Sequence, residues 1–66
     1  MAVMKVIEVM ASSNKSWEEA TRNAVAHASK SVKNIKSAFV QSQRVVVNEG
    51  NVEEFRVNVK ITFEVK

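Results

Sequence analysis

The sequence contains no cysteine, no proline, a single glycine (Gly50) and a single histidine (His27). Without cysteine the chain can form neither a disulfide nor a thiolate metal site, and one histidine cannot form a histidine cluster. The scarcity of glycine and proline leaves no stretch with the composition of a linker. The lack of cysteine also fits a cytoplasmic protein, and we expect that location.

Long apolar runs and a concentration of charge of one sign are missing as well. No stretch approaches the roughly 20 apolar residues of a membrane-spanning helix, and Lys5 and Glu8 interrupt residues 1–11 in a way that does not resemble a signal peptide. The net charge is +3 from ten basic and seven acidic residues, and the basic ones are dispersed. We expect neither a membrane nor a nucleic-acid partner, because a basic βαββ nucleic-acid binder needs a clustered basic face with an aromatic platform.

The length of 66 residues predicts one small domain, residues 1–66. A chain of this size buries only about 60% of the surface that it exposes when unfolded. Small folds usually gain further support from disulfides, a structural metal or partner subunits. Because disulfides are excluded and no metal-ligand spacing is present, we expect the chain to form a homo-oligomer.

The final stretch, Glu53–Lys66, alternates strictly between apolar and polar residues. This is the period of a β-strand with one buried face and one face in water. The apolar positions are Phe55, Val57, Val59, Ile61, Phe63 and Val65. The rest of the chain must therefore supply what covers this face.

The stretch Ala2–Ala11 predicts a first strand with apolar residues on both faces. One interpretation is an N-terminal strand that is loosely patterned. The other, which we favour, is that its second face packs against another subunit, because so short a chain cannot cover both faces of a sheet.

A helix is predicted to begin at Trp17. The preceding Ser16, with Glu19 three residues later, forms a capping box in which each side chain bonds to the other residue's amide. The predicted helix continues to Lys33, with Asn34 as its C-terminal cap. Its apolar stripe consists of Trp17, Ala20, Ala24, Val25, Ala28 and Val32.

The stretch Asn34–Glu49 is interpreted as one long strand, bent or bulged near Gln41–Gln43, where polar residues interrupt both faces. Glu49–Val52 is the predicted turn, in which Gly50 and Asn51 tolerate positive φ. A three-residue loop would place Val45 opposite Val57. The predicted fold is therefore α+β, a β-α-β-β chain whose mixed three-stranded sheet has the order 1-3-2 and packs on one helix.

Few residues offer chemistry. We expect His27 to be a surface or interface residue, and Trp17 to pack in the core rather than stack on a ligand. The adjacent carboxylates of Glu18 and Glu19 diverge on a helix and do not form a catalytic pair. Three basic residues lie on the predicted strands: Arg44, Arg56 and Lys60. Their side chains either form a solvated face or bind an anion. No set of residues supports an enzyme.

The order and spacing of these elements resemble the dodecins, a family of small βαββ proteins. The resemblance covers nearly the whole chain and depends on four segments together: KVIEVMASS, SWEEATRNAVAHA, SVKNI with the long strand after it, and EFRVNVKITFEV. It implies a hollow, near-spherical homododecamer that stores or sequesters flavins. In this family the isoalloxazine rings stack on a tryptophan of the second strand and bond to a glutamine of the third.

Two residues of this chain occupy those flavin-site positions with different chemistry. Ser37 aligns with the tryptophan and Arg56 with the glutamine. Ser37 has no aromatic face, so we expect the flavin site (FMN, FAD or riboflavin) to be weakened or lost. The alternative is a flavin-free shell with a structural role or a role in binding a metal, such as calcium, or an anion, as is implied for dodecins that lack the tryptophan. The two positions also have opposite strand parity, so a shared pocket needs a bulge or a neighbouring subunit.

Overall fold

Three strands form a sheet that one helix covers on one face. The structure is a computed structural model and describes residues 2–66, so Met1 of the predicted domain lies outside the described residues. The elements are β1 (Val3–Ser13), α1 (Trp17–Ala28), β2 (Ile35–Asn48) and β3 (Asn51–Val65). The strand β3 lies between β1 and β2 and is antiparallel to both. The predicted β-α-β-β fold and the order 1-3-2 are confirmed.

The core lies between α1 and the central strand. The alternating pattern of β3 buries Val57, Val59 and Ile61, as predicted, whereas the other three apolar positions of the strand are only half-buried (Phe55 and Phe63) or exposed (Val65). Against them α1 buries three alanines of its stripe, Ala20, Ala24 and Ala28. Alanine has the highest helix propensity and the smallest side chain that a helix can present. The helix backbone can therefore approach the β-branched surface of β3 closely.

The start of α1 confirms half of the predicted capping box. The hydroxyl of Ser16 accepts a hydrogen bond from the Glu19 amide at 3.0 Å. The other half of the prediction, a bond from the Ser16 amide to the Glu19 carboxylate, is wrong. That carboxylate accepts instead from the hydroxyl of Ser13 at 2.5 Å. Ser13 is the buried last residue of β1. This bond therefore ties the start of the helix to the end of the first strand.

We expect Ser16→Ala to lower the free energy of unfolding by about 1 kcal/mol, because one amide of the first helical turn loses its acceptor. Urea unfolding at a fixed protein concentration measures this effect. The control is Ser31→Ala, which removes the same hydroxyl from an exposed turn after the helix. Equal unfolding midpoints for the two variants would show that the cap contributes nothing.

The end of α1 comes earlier than predicted. The helix ends at Ala28 with Ser29 as its cap, so Val32 and Lys33 lie outside it and Asn34 is not its C-terminal cap. The amides of Lys30 and Ser31 bond to carbonyls three residues back, at 3.2 and 3.1 Å. Such bonds tighten the last turn and end a helix. Asn34 does adopt a positive φ of 64°, just before β2 begins.

The long strand β2 is bulged where its polar residues predicted. The register against β3 shifts between Val40 and Ser42, which leaves Gln41 as an extra residue. A second shift, between Ile35 and Ser37, leaves Lys36 extra. Each extra residue changes which side chains of β2 share a face.

The β2–β3 turn differs from the predicted three-residue loop. Asn48 pairs with Asn51, which leaves a two-residue turn of Glu49 and Gly50, with φ of 52° and 79°. Positive φ at both central residues is typical of the two-residue hairpin turn whose twist matches that of the flanking strands. A third register shift then leaves Glu53 extra. Val45 consequently lies opposite Phe55 rather than opposite Val57 as predicted, an error of two residues that keeps the same face inward.

The protomer is elongated, with extents of 51 × 19 × 13 Å. Its radius of gyration is 13.5 Å, against about 11 Å for a compact chain of this length. Large apolar side chains remain exposed on the strands: Val3, Met4, Val6, Met10, Phe39, Val45, Val47, Val52 and Val65. That the second face of β1 packs against another subunit stays a prediction. Within residues 2–66, no helix has the length and apolar character needed to cross a membrane.

Candidate ligand site

The face of the sheet that points away from α1, called here the open face, carries most of the polar strand residues. Its members follow from the strand register. They are Met4, Val6, Glu8, Met10 and Ser12 of β1, Ser37, Phe39, Ser42, Arg44 and Val46 of β2, and Glu54, Arg56, Asn58, Lys60, Thr62 and Glu64 of β3.

Ser37 and Arg56, the two residues that the resemblance aligns with the flavin site, lie on this open face but far apart. Ser37 pairs with Thr62, whereas Arg56 pairs with Arg44. The bulge at Gln41 removes the difference in parity and brings both residues to one face. Thr62, the partner of Ser37, is six positions from Arg56 along β3, which is about 20 Å at about 3.4 Å per residue. One protomer therefore does not bring Ser37 and Arg56 together.

Arg56 lines a pocket of about 230 Å³ on the open face, to which all three strands contribute residues. Arg44 stands directly opposite it on β2, and Ser12 directly opposite it on β1. The full lining is Met10, Ala11, Ser12, Arg44, Arg56, Val57 and Asn58. Sequence reasoning identified the two arginines but missed Met10, Ser12 and Asn58.

The pocket has an excess of positive charge. Arg56 pairs with Glu54 at 3.3 Å between Nε and Oε1. Among the side chains that the structure describes, none forms an ion pair with Arg44. Like charges directly opposite each other on adjacent strands repel. Two guanidinium groups and one carboxylate thus leave the pocket with a local charge of +1.

An unpartnered polar atom lies in the same place. The Oδ1 atom of Asn58 is buried and finds no hydrogen-bond donor within residues 2–66. Buried polar atoms nearly always have a partner, because the water that they lose must be replaced. Asn58 lines the pocket together with the two arginines and pairs with Met10 of β1. The pocket therefore offers cationic donors, whereas the Oδ1 atom of Asn58 is buried beneath its surface.

Trp17 packs in the protein, as predicted, and does not face the pocket. Its ring meets that of Phe55 edge to face, with the centroids 5.1 Å apart and the planes at 77°. Its Nε1–H donates to the backbone carbonyl of Arg44 at 3.2 Å. The indole lies on the helix side of the sheet and holds the backbone of Arg44. The side chain of Arg44 lines the pocket on the other side, the open face.

The remaining candidates are dispersed. His27 is exposed in the last turn of α1. Lys60 is exposed on the open face, opposite Glu8 on one side and Phe39 on the other. Within residues 2–66, no three His, Asp or Glu side chains come together in a way that could hold a metal.

The fold is that of a small βαββ protein, and its open face carries a pocket lined by two arginines. The family model of the dodecins matches residues 3–66, so the chain belongs to the dodecin family, and the resemblance in the sequence is confirmed. The chain is 33% identical over 66 residues to the calcium dodecin of Mycobacterium tuberculosis, covering all of this chain and 93% of that protein.

Solved structures agree with this assignment. The crystal structure of the calcium-chelating calcium dodecin of Mycobacterium tuberculosis is 34% identical, with a TM-score of 0.84 over 97% of this chain and 91% of that one. The dodecin from Streptomyces coelicolor is 28% identical, with a TM-score of 0.94 over 98% and 93% of the two chains. The backbone of this protomer is thus that of a dodecin subunit.

Proposed function

We propose that this protein is a non-enzymatic small-ligand binding and storage protein of the dodecin type, acting as a hollow homododecamer, in which the usual flavin site is weakened or lost. The observation that supports the proposal is Ser37, an exposed residue on the open face, which the family resemblance aligns with the flavin-stacking tryptophan. A serine hydroxyl cannot replace an aromatic ring. The loss of one aromatic contact is worth about 0.5–1.5 kcal/mol beyond area burial.

The position of the flavin-bonding glutamine has also changed in chemistry. Arg56 has no acceptor atom in its side chain, whereas glutamine both donates and accepts. Its guanidinium is held by Glu54 at 3.3 Å. The residues present therefore do not fit the flavin contacts that the family resemblance implies.

Assembly is part of the proposal because one protomer is incomplete as a binding unit. Ser37 and Arg56 lie about 20 Å apart along the sheet, so one ligand can touch both positions only between protomers. The exposed Met10 and Phe39 lie on the open face, with 79% and 66% of their surfaces accessible. Their burial between copies would contribute about 25 cal/mol per Å².

The test is a riboflavin titration of the purified protein, followed by flavin fluorescence. We expect a colourless protein that quenches little of the added fluorescence, because no tryptophan stands at position 37. Light scattering on the same sample reports the assembly, and we expect the mass of twelve chains. A yellow protein that quenches bound flavin would overturn the weakened site, and a monomer or dimer would overturn the shell.

A second candidate function is calcium binding by a flavin-free shell, which the identity of 33% to a calcium dodecin favours. Calcium takes six to eight oxygen ligands, and no acidic cluster of the required size forms within residues 2–66 of one protomer. Such a site would need oxygens from more than one protomer. Calorimetric titration with calcium in chelator-treated buffer distinguishes this role, since heat that saturates at a fixed ratio per assembly would support it.

A further inference from the structure

We propose that one end of the protomer binds the phosphate backbone of double-stranded nucleic acid. This end, called here the basic end, consists of residues 3–5 at the start of β1, residues 29–36 between α1 and β2, and residues 63–66 at the end of β3. It holds half of the ten basic residues of the chain, and all of these are exposed. They are Lys5, Lys30, Lys33, Lys36 and Lys66.

The fold brings these lysines together although they are dispersed in the sequence. Phe63, near the end of β3, pairs with Lys5 on one side and with Ile35 on the other. The Glu64 amide donates to the carbonyl of Asn34 at 3.0 Å, which holds the connection between α1 and β2 beside the end of β3. The expectation of no nucleic-acid partner depended on the dispersal of the basic residues, which the fold reverses.

Little negative charge opposes the basic end. Glu64 is its one acidic residue, and the carboxylate lies 3.8 Å from the Nζ of Lys36. Five lysines and one glutamate give this end a charge of +4. The rest of the chain has five basic and six acidic residues, a charge of −1 that completes the net charge of +3. The positive potential of the protomer is therefore concentrated at one end of its 51 Å length.

The chemistry of the basic end favours a duplex over other polyanions. Lysine ammonium groups are point charges on flexible stems, which suit backbone phosphates of any sequence. A binder of single strands also needs exposed aromatic side chains on which bases stack, and the one aromatic residue of the basic end, Phe63, is half-buried on the helix side of the sheet. A membrane-surface site uses an amphipathic helix with large apolar residues, whereas the basic end consists of strand ends and a turn.

Assembly would strengthen this interaction. A long duplex carries one negative charge per about 1.7 Å of its axis, so it can meet the basic ends of several protomers of the proposed shell. Each contact after the first is then intramolecular and gains affinity from its high effective concentration. The inference otherwise goes beyond the proposed function, since it does not depend on a flavin or calcium site.

Titration of a short dye-labelled DNA duplex with the full assembly, followed by fluorescence anisotropy, tests the proposal. We expect binding that weakens steeply as salt is added, because bound lysines release the counterions of the phosphates. If about four lysine–phosphate contacts form, the affinity should fall by about a hundredfold between about 50 and 200 mM salt.

The decisive variant is Lys30→Gln, Lys33→Gln, which removes two charges from exposed positions after the helix, outside regular structure. At about 50 mM salt it should weaken binding by about a hundredfold and reduce the salt slope by about two. The matched control is Lys15→Gln, Arg22→Gln, which removes the same charge from exposed residues outside the basic end and should weaken binding less than about threefold. Light scattering establishes that both variants keep the assembly.

Each other outcome would overturn the proposal. Absence of duplex binding at about 50 mM salt would do so, and equal losses in the two double variants would show that the basic end is not the contact. Tighter binding to a single strand of the same length would exclude the duplex as the partner. Sedimentation with phosphatidylserine vesicles, in the absence of duplex binding, would assign the basic end to a membrane surface. Riboflavin and calcium titrations report on the proposed function and are independent of these results.

Discussion

Replacing Ile61 with alanine is expected to lower the free energy of unfolding by about 2–5 kcal/mol, the usual range for Ile→Ala in a protein core. Ile61 is fully buried in the central strand, between Ile7 of β1 and Ala38 of β2, under the alanine face of α1. The loss combines the transfer free energy of the missing methyl and methylene groups with the cost of the cavity left behind.

This loss is large because the chain is short. At about 0.05–0.15 kcal/mol per residue, 66 residues give a total stability of roughly 3–10 kcal/mol. Ile61→Ala would therefore remove a fifth of it at the least, and more than half at the middle of both ranges. Chemical denaturation should be followed at matched protein concentration, since assembly and folding are linked by mass action.

Two comparisons make the Ile61 experiment decisive. Ile61→Val should lose only about 0.5–1.5 kcal/mol, because the site keeps most of its volume. Val52→Ala, at the turn end of the same strand, alters an exposed side chain of the protomer and should change stability by about 0.5 kcal/mol or less. If Val52→Ala were as damaging as Ile61→Ala, the core would not lie where the structure places it.

The strand pattern was enough to predict the topology but not the details of register. Strict alternation in Glu53–Lys66 identified the central strand and the face that it buries, although only the three middle apolar positions of that face are fully covered. The hairpin register was wrong by two residues because the chain adds Glu53 as a bulge beside a two-residue turn. The two-residue turn and the one-residue bulge together keep the same face inward, so the alternating pattern is compatible with both the predicted and the observed register.

The end of the helix shows a second limit. Val32 continues the apolar stripe, so the pattern favoured a longer helix than the twelve residues observed. The helix instead ends where Ser29 bonds its hydroxyl to the carbonyl of Ala26 at 2.8 Å. Serine competes locally for backbone partners, and this competition is not visible in hydrophobic periodicity.

The pocket could be predicted only in part. Arg56 and Asn58 share a face because they are two residues apart on one strand. Arg44 joins them only after the bulge at Gln41, and Met10 and Ser12 join through the register of β1. Contacts between distant segments depend on bulges and pairing, which one sequence specifies weakly.

Restoring the family residues in a Ser37→Trp, Arg56→Gln double variant is expected to tighten riboflavin binding by about tenfold to a hundredfold. Stacking of a flat heterocyclic ring on an aromatic side chain contributes about 1–3 kcal/mol, and 1.4 kcal/mol corresponds to a factor of ten. Ser37 is exposed on the edge strand β2, so the larger side chain requires no repacking of the core. Quenching of riboflavin fluorescence measures the change.

The matched control for this gain is Phe39→Trp, which places a tryptophan on the same face of β2 two residues further along. It adds the same ring and the same intrinsic fluorescence, but at a position that the resemblance does not align with a flavin contact, so flavin binding should stay at the level of the unaltered protein. Ser37→Trp alone should give most of the gain, because stacking contributes more than one amide contact. If Phe39→Trp bound riboflavin as tightly as the double variant, any exposed indole on the open face would suffice, and the assignment of Ser37 to the lost stacking position would be wrong.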